Sequence, residues 1–405
     1  MQGSVGAAPD GISFIDVAQN DQWPPTTPEG VRRYLTQMVE KTPVSLAENA
    51  AGVTARVLRV DETVLPVLVS DGRAGKASVL SPFAHHVLYP VHEISRRSKL
   101  LGPRALHVIL SPLTGLLKVG AIDKAVFVNH WLLSGAPVPD LPPSSWTGVI
   151  TMLQAEFPSH GLIVQDVKPE LAPVYAGALA QAGGISVPTR VVYILDPAKP
   201  LTGRKLKKVR HSRGLARRLY AEYSGDLVST GLGPAEVAQV RRLYRHSNIA
   251  RHSDLNPKYT EAFFDLAQHC GEFRYHVWQA KERGKIMAFN LQRLDEAFMH
   301  WSSFGTDETA RERSDRSRSL YELAVAADMV TCEEEGLLLD WGAGAEDFKR
   351  FRGAAPHAQV EVVFFNHLGP LRRFAWTVLA QLRRARSRQL ERSRKRSKDR
   401  SASLG

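Results

Sequence analysis

The sequence predicts a mixed α/β protein built from two domains. Its 405 residues suggest two or three domains at about 150 residues each. Each half of the chain holds a pair of β-branched segments joined by a short turn, followed by alternating helical and extended segments. We therefore expect a mobile lead-in over residues 1–25, domains over 26–196 and 197–370, and a basic tail over 371–405.

The first half opens with a helix over residues 27–40, because Thr27 and Pro28 form a typical helix start. Residues 53–60 and 63–70 are rich in β-branched side chains and are separated by two acidic residues, which predicts a hairpin. Beyond the hairpin, strands are expected over residues 106–110, 125–129, 161–167 and 189–195, and helices over 91–101, 145–156 and 171–182.

The second half repeats this order of elements. A basic helix is expected over residues 204–223, and a hairpin is expected further on, around a turn that contains Gly284. No residue-level repeat relates the two halves, so their likeness concerns the order of elements only. The hairpin strands are predicted over 274–280 and 286–294, later strands over 298–304 and 360–366, and helices over 233–247, 259–270 and 319–335.

The most informative stretch covers residues 337–353. Three leucines at its start suit a buried strand. Two glycines follow, at positions where the backbone can bend sharply or let another group approach. A lysine between two aromatic residues completes the pattern, whose members are Asp340, Gly342, Gly344, Phe348, Lys349 and Phe351. The alternative interpretation is an ordinary turn between a strand and a helix, with a surface lysine.

This pattern resembles the C-terminal core of the GNAT acyltransferase superfamily. The closer resemblance is to its Fem-type branch, the aminoacyl-tRNA-dependent peptidyltransferases and their relatives. Arg352 stands between Phe351 and Gly353, which is a one-residue departure from that branch. The resemblance covers residues 190–367 well and 50–190 only in outline. It implies two GNAT-like domains in tandem, with mixed sheets.

The resemblance also implies which residues react. A lysine at the position of Lys349, after the aromatic Phe348, would meet the negative charge that develops on the reacting carbonyl. The strand that follows residue 297 would splay from its neighbour, as in a GNAT-like fold, which places His300 close to the reaction. We therefore assign Lys349, Phe348 and His300 as catalytic. For His300 the alternative is a buried histidine with satisfied hydrogen bonds.

Substrate-binding residues are expected beside these. On the predicted strand, alternation places His300 and Ser302 on one face and Trp301 on the other. The polar segment over residues 244–260 is a candidate pocket wall, and its histidines are possible general bases because histidine titrates near neutrality. A helix end followed by a loop is the alternative. The substrate-binding candidates are His252, Asn256, Tyr259, Trp301, Ser302 and Asp340.

The predicted donor site lacks the glycines that coenzyme A needs. GNAT enzymes that use coenzyme A bind its pyrophosphate with a glycine-rich loop at a helix N-terminus. Here the matching segment, residues 310–321, holds no glycine and several arginines. Arginine side chains could bind the phosphates of another donor, including RNA. The donor or RNA-binding candidates, from this segment and the basic helix, are Arg210, Arg213, Arg217, Arg316, Arg318 and Ser319.

Charge and composition limit the partners. The formal net charge is +12, and residues 371–405 alone carry a surplus of ten positive charges. This tail either attracts RNA or keeps the protein in solution. The two cysteines favour a reducing compartment and give no support for a metal site. The absence of a secretory signal and of a long apolar run predicts a cytoplasmic protein without a membrane span.

These observations predict an acyltransferase that moves an aminoacyl group from aminoacyl-tRNA to an amine-type acceptor. The acceptor would be a small molecule or a cell-wall precursor, and no resident cofactor is expected. One alternative keeps the fold and uses acyl-coenzyme A or an acyl-carrier protein as donor. The other is a non-catalytic RNA-binding protein with a degenerate GNAT core.

Overall fold

The structure is a computed structural model that describes residues 11–73, 75–97, 103–133, 135, 138–139, 141–199, 206–223, 227–228, 231–279, 285–307 and 317–403. Its strands are β1 (Ile12–Ile15), β2 (Val53–Val60), β3 (Thr63–Ser70), β4 (Ala125–Val128), β5 (Gly161–Val167), β6 (Ile185–Leu195), β7 (Leu227–Val228), β8 (Phe273–Gln279), β9 (Ile286–Leu294), β10 (Phe298–Thr306), β11 (Leu338–Asp340) and β12 (Ala355–Phe364).

The helices of the described residues lie between these strands, with two π-helical turns at Ala84–Leu88 and Arg245–Ala250. They are α1 (Glu29–Glu40), α2 (Tyr89–Arg97), α3 (Pro103–Val119), α4 (Ser145–Glu156), α5 (Pro173–Gln181), α6 (Leu206–Tyr223), α7 (Pro234–Tyr244), α8 (Glu261–His269), α9 (Ser317–Glu335), α10 (Glu346–Arg350) and α11 (Pro370–Ser403).

All of these strands form one mixed sheet in the order β1-β2-β3-β4-β5-β12-β6-β11-β10-β9-β8-β7. Each half contributes antiparallel strands and then one parallel pair, β4 with β5 and β10 with β11. The two halves exchange their last strands at the centre. β12 pairs with β5 of the first half, β6 pairs with β11 of the second half, and β6 and β12 pair with each other.

Helices cover both faces of the sheet. One face is covered in both halves by a single apolar core, to which α1, α7, α8 and α11 contribute. On the other face, α4 and α5 pack against the first half, and α6 and α9 pack against the second. Because one core crosses the middle of the sheet, the two halves are packed against each other as well as hydrogen-bonded.

The predicted hairpins are confirmed, and the predicted strand over residues 106–110 is wrong. Those five residues lie inside the helix α3, which runs from Pro103 to Val119. The sequence there is apolar enough for either element, and a short apolar run does not distinguish a strand from a buried helix. At the first hairpin, Asp61 takes a left-handed conformation with φ of 53°, which a two-residue turn between Val60 and Thr63 requires.

The lead-in is shorter than the 25 residues predicted. Ile12–Ile15 form the edge strand β1, which pairs with β2. Val17 and Trp23 are buried in the core, and the Trp23 indole donates a hydrogen bond to the Val17 carbonyl at 3.2 Å. These apolar residues lie among glycine, proline and polar residues, so the composition of the segment did not predict that they are buried. Residues 1–10 lie outside the described part of the chain.

The segment predicted as a basic tail begins as a packed helix. On α11, Ala375, Trp376, Leu379 and Ala380 are buried. Trp376 stacks on Phe365 with ring centroids 6.1 Å apart. The first half of α11 therefore belongs to the fold, and the boundaries drawn at residues 196 and 370 stay predictions.

We expect Trp376→Ala to destabilise the protein, because Trp376 is 1% exposed and fills the space above Gly161. Removing a buried tryptophan side chain typically costs about 3–5 kcal/mol in the free energy of unfolding. Chemical denaturation measures this change. The matched control is Leu390→Ala on the same helix, where the side chain is exposed and the expected change is within about 0.5 kcal/mol. Equal effects of the two substitutions would show that α11 does not pack as described.

Candidate functional site

The parallel strands β10 and β11 separate and open a cleft. They pair only from Phe298 opposite Leu338 to His300 opposite Asp340. β11 ends at Asp340, whereas β10 continues to Thr306. Beyond His300, the edge of β10 that faced β11 is therefore free of strand pairing. The predicted splay at this strand is present, and its apex lies at His300 and Asp340.

A bulge on β10 changes which side chains share a face. The register against β9 shifts between Trp301 and Ser303. As a result, Trp301 and Phe304 contact each other at 5.8 Å between ring centroids, and both contact Tyr321 of α9. Ser303, by contrast, is buried, as His300 is. Strict alternation, continued along the strand, would place Phe304 on the face opposite Trp301; it does not hold here, because a β-bulge inserts one extra residue into the pattern.

Four ionisable side chains meet at the apex of the cleft. The Nδ1 atom of His300 lies 3.3 Å from Asp340 Oδ2, and its Nε2 atom lies 3.2 Å from Asp295 Oδ2. The ammonium of Lys168, from the first half of the chain, lies 2.9 Å from the same Asp340 oxygen. Both histidine nitrogens face carboxylates, and both can donate only in the imidazolium form. His300 is therefore held in place by its two partners.

The neighbours of the two carboxyls in this apex cluster lower the pKa values of both. Burial alone would raise the pKa of Asp340, but the Lys168 ammonium and His300 hold it well below its usual range. The pKa of Asp295 is also lowered, because His300 and two backbone N–H groups outweigh the effect of burial. The sequence pointed to His300 and Asp340 and missed Lys168 and Asp295. Lys168 is far away in the sequence, and only strand exchange brings it close.

Gly135, from the first half of the chain, lies against His300 at the apex. A Cβ atom at Gly135 would lie 2.9 Å from the His300 Cβ, so no other residue fits there without a shift. The Gly135 N–H donates to Asp166 at 2.6 Å, and Asp166 also accepts a hydrogen bond from Gln359. Arg190 lies 3.7 Å from Asp166 and is exposed. The cleft is thus bounded by residues of both halves.

Lys349 lies beneath the glycine-bearing loop. Its ammonium donates to the carbonyls of Trp341, Gly342 and Ala343 at 2.7, 3.1 and 2.8 Å. The side chain is 4% exposed. Burial lowers the pKa of Lys349 to about 8, against the opposite effect of Asp340. All three ammonium protons have acceptors in the loop, so a reacting carbonyl would have to displace one of them. The catalytic role of Lys349 stays a prediction.

The loop above Lys349 has the backbone that the glycines predicted. Gly342 and Gly344 have φ of 65° and 78°, in the left-handed region. Phe348 lies on the other side of α10, where its ring is 5.2 Å from Tyr321. The Arg352 guanidinium lies 3.5 Å from the centre of the Phe348 ring. Phe348 thus completes a partly exposed aromatic group with Trp301, Phe304 and Tyr321.

The predicted pocket wall over residues 244–260 does not act as one surface. Tyr259 is buried, donates a hydrogen bond to the Leu132 carbonyl at 2.8 Å and stacks on Phe263. Asn256 donates to the Asn248 carbonyl at 2.9 Å, and His252 is exposed. Two residues of the segment reach the cleft strand: the Asn248 amide donates to the Phe304 carbonyl at 2.7 Å, and the Ser247 hydroxyl accepts a hydrogen bond from the Thr306 N–H at 3.2 Å. Tyr259 and Asn256 therefore serve packing in this arrangement.

The predicted donor residues fall into two groups. On α6, Arg213 and Arg217 lie 3.6 and 2.8 Å from Glu333 of α9, and Arg210 is exposed. This places the basic helix along α9, which follows the cleft. Arg316 and the side chains of Arg318 and Ser319 lie outside the described part of the structure.

A second buried acid–histidine group lies in the first half. The Nε2 atom of His86, in the first π-helical turn, lies 2.9 Å from Glu361, and Gln165 donates to the same carboxylate at 3.0 Å. Burial alone would raise the pKa of Glu361, but His86 and His85 lower it to about 2. Nothing in the sequence pattern indicated this group, because its members come from three separate segments.

Comparisons with known proteins concern structure. No family model and no curated protein matches the chain. Among solved structures it is similar to FemX, at 8% identity over 87% of this chain and 96% of that chain, with a TM-score of 0.46. It is also similar to L-PGS from Bacillus licheniformis (13% identity, 69% and 96% covered, TM-score 0.40) and to a tandem GNAT protein from the clavulanic acid biosynthesis pathway (12%, 87% and 98%, 0.35).

The fold is one mixed sheet built from two similar halves in tandem. The antiparallel strands, the parallel pair and a helix between the two strands of that pair recur in both halves of the sheet. The predicted fold class is therefore confirmed. Among the described helices, none combines the length and apolar character needed to cross a membrane.

We expect Lys349→Met to destabilise the protein. The substitution keeps most of the side-chain stem and removes three hydrogen bonds to loop carbonyls, and each buried group left unpaired costs about 1–3 kcal/mol in the free energy of unfolding. Urea denaturation measures the loss. Arg350→Met, one residue away, is the control, because its i,i+4 ion pair with Glu346 is part-exposed and contributes little. If the control loses as much stability, the lysine does not hold the loop.

The carboxyl of Asp328 predicts a pH dependence. It is fully buried on α9 and accepts hydrogen bonds from Asn290, at 2.8 Å, and from Gln292. Burial raises the pKa of Asp328 to about 7, although both hydrogen bonds oppose this. A carboxyl with a raised pKa in the folded state lowers stability as pH rises from about 4 to about 7.

We expect Asp328→Asn to remove that dependence. Between about pH 5 and pH 8, the unfolding free energy of the variant should rise relative to the parent by about 2–3 kcal/mol. Denaturation at both pH values measures the change. Asp265→Asn, at an exposed carboxylate, should show no such trend. A constant difference across this range would mean that Asp328 does not titrate there.

Proposed function

We propose that the protein is an acyltransferase that moves an aminoacyl group from aminoacyl-tRNA to an amine. The observation that carries the proposal is the splay of β10 from β11, which leaves one edge of β10 without a partner strand beside a cluster of buried charges. An unpaired strand edge offers backbone N–H and C=O groups. The ester carbonyl of an aminoacyl group can accept a hydrogen bond from such an N–H, and its α-amino group can donate to such a C=O.

The chemistry needs no covalent enzyme intermediate. The amine nitrogen attacks the ester carbonyl, the carbon–oxygen bond to the tRNA ribose breaks, and the amine proton passes to the leaving ribose oxygen. Preorganised donors that face the developing oxyanion lower the barrier. The left-handed residues Gly342 and Gly344 turn the backbone at the mouth of the cleft. We infer that Asp340 and His300 fix this loop and strand, since the Gly342 N–H donates to Asp340 at 2.8 Å.

The choice of tRNA as donor rests on the surface of α6. The exposed cations of this helix are spaced by three, seven and one residues, so at 3.6 residues per turn they lie within about 100° of its circumference, on one side. Lys207, Arg210, Arg217 and Arg218 form this side. α6 packs along α9 through Arg213 and Glu333, so the cationic side runs beside the helix that follows the cleft strand. Phosphate groups bind such arrays through charge, with little dependence on sequence.

The experiment compares donors. The full chain is incubated with bulk tRNA charged with one labelled amino acid at a time, or with labelled acetyl-coenzyme A, in the presence of a panel of primary amines. Mass spectrometry identifies the amide product. We expect label to move from at least one charged tRNA to an amine. Transfer only from acetyl-coenzyme A would show that the donor is acyl-coenzyme A. Binding of charged tRNA without cleavage of its ester would indicate an RNA-binding protein. Either result contradicts the proposal.

We also expect the double substitution Arg210→Glu/Arg218→Glu to weaken tRNA binding. Each lost phosphate contact reduces the slope of log affinity against log salt by about 0.7–0.9. Filter binding at several salt concentrations measures both affinity and slope. The control is Arg33→Glu, an exposed cation on α1, which should leave the slope unchanged. An unchanged slope in the double variant would remove α6 from the tRNA site.

A further inference from the structure

The C-terminal helix α11 carries an exposed apolar stripe that the proposed function does not use. Leu371, Phe374 and Leu382 are 52%, 57% and 47% exposed. Together with the half-buried Val378 they recur every three or four residues, which places them on one side of the helix. Of the ten large apolar side chains that are exposed in the described residues, four lie on α11. Such clustering marks an interaction surface.

The rotation of α11 is fixed, so the stripe points outward. Trp376 and Leu379 are buried in the core on the opposite side. Arg383 donates to the Pro188 carbonyl at 2.9 Å, and Arg384 donates to the Ser186 carbonyl at 3.0 Å. These contacts hold the helix against the end of β6. The stripe cannot turn inward without breaking them.

A neighbouring helix extends the apolar surface. Val119, at the end of α3, is 67% exposed. The next residue, Gly120, lies directly against Ala375, because a Cβ atom at Gly120 would clash with the Ala375 Cβ. Val119 therefore stands beside the first turns of α11. Its side chain adds to the surface near Leu371.

Cations flank the stripe. Arg386 and Arg388 are exposed, and at 3.6 residues per turn they lie on either side of the line through Leu371 and Leu382, about 50° and about 110° away from it. Arg373 and Arg384 are exposed as well. The sequence from residue 371 onward carries a surplus of ten positive charges. A second copy of this helix would be repelled, so the partner is anionic.

We propose that α11 docks on an anionic phospholipid surface. A helix with an apolar side flanked by lysine and arginine lies in the plane of a membrane interface, with its apolar side chains at the acyl boundary and its cations at the headgroups. RNA would satisfy the arginines and leave the leucines and Phe374 in water. Lipid satisfies both sets of side chains. The proposal does not depend on the acyl-transfer reaction.

The test is co-sedimentation of the full chain with vesicles. We expect binding to vesicles of phosphatidylglycerol and phosphatidylcholine, and much weaker binding to phosphatidylcholine alone. Leu371→Ser/Phe374→Ser should reduce binding at least about tenfold, because two apolar side chains no longer leave water. Arg386→Glu/Arg388→Glu should abolish the preference for phosphatidylglycerol. Leu215→Ser, at an exposed leucine of α6, is the matched control and should bind like the parent.

Three outcomes would overturn the proposal. The first is that the parent protein shows no preference for the anionic vesicles. The second is that Leu215→Ser loses as much binding as the stripe variant. The third is that no protein binds vesicles while Arg386→Glu/Arg388→Glu weakens tRNA binding, which would make RNA the partner of α11. All substituted side chains are exposed, and an unchanged thermal unfolding curve establishes that each variant is folded.

Discussion

The pairing of β6 with β12 is the interaction on which the rest of the structure depends. It runs from Ala355 opposite Ile194 to Val363 opposite Ile185. Because β12 also pairs with β5, and β6 also pairs with β11, each parallel pair rests on a strand that the other half supplies. The two domains cannot separate without opening the centre of the sheet. This constraint also brings Lys168 to Asp340 across the domain boundary.

The buried charges follow from that exchange. An isolated buried carboxylate is costly, and a buried pair contributes little net stability but becomes strongly destabilising when one partner is lost. At the apex of the cleft, Asp340 contacts both Lys168 and His300, and Asp295 contacts His300. The Glu361 group repeats this arrangement in the first half with His86 and Gln165. Rigid polar groups of this kind specify one geometry of the cleft.

Lys349 and α11 show how function and packing compete for the same residues. Lys349 occupies the position where the resemblance implies an oxyanion donor, yet its ammonium holds three carbonyls of the loop at Gly342. α11 was expected to be a tail, yet Trp376 belongs to the core while Phe374, two residues earlier, faces solvent. In α10 and in α11, one side of the helix packs within the fold, and the other side is available for a partner.

The sequence by itself determined the mixed α/β class, the hairpins and the motif from Asp340 to Lys349, because periodicity and glycine placement act over a few residues. It also placed His300 on the strand that separates from its neighbour, while its catalytic role stays a prediction. Tertiary structure decided the exchange of β6 and β12, the bulge after Trp301, the partners Lys168 and Asp295, and the burial of Tyr259. Those features depend on contacts between segments far apart in the chain, and local patterns carry no information about which segments meet.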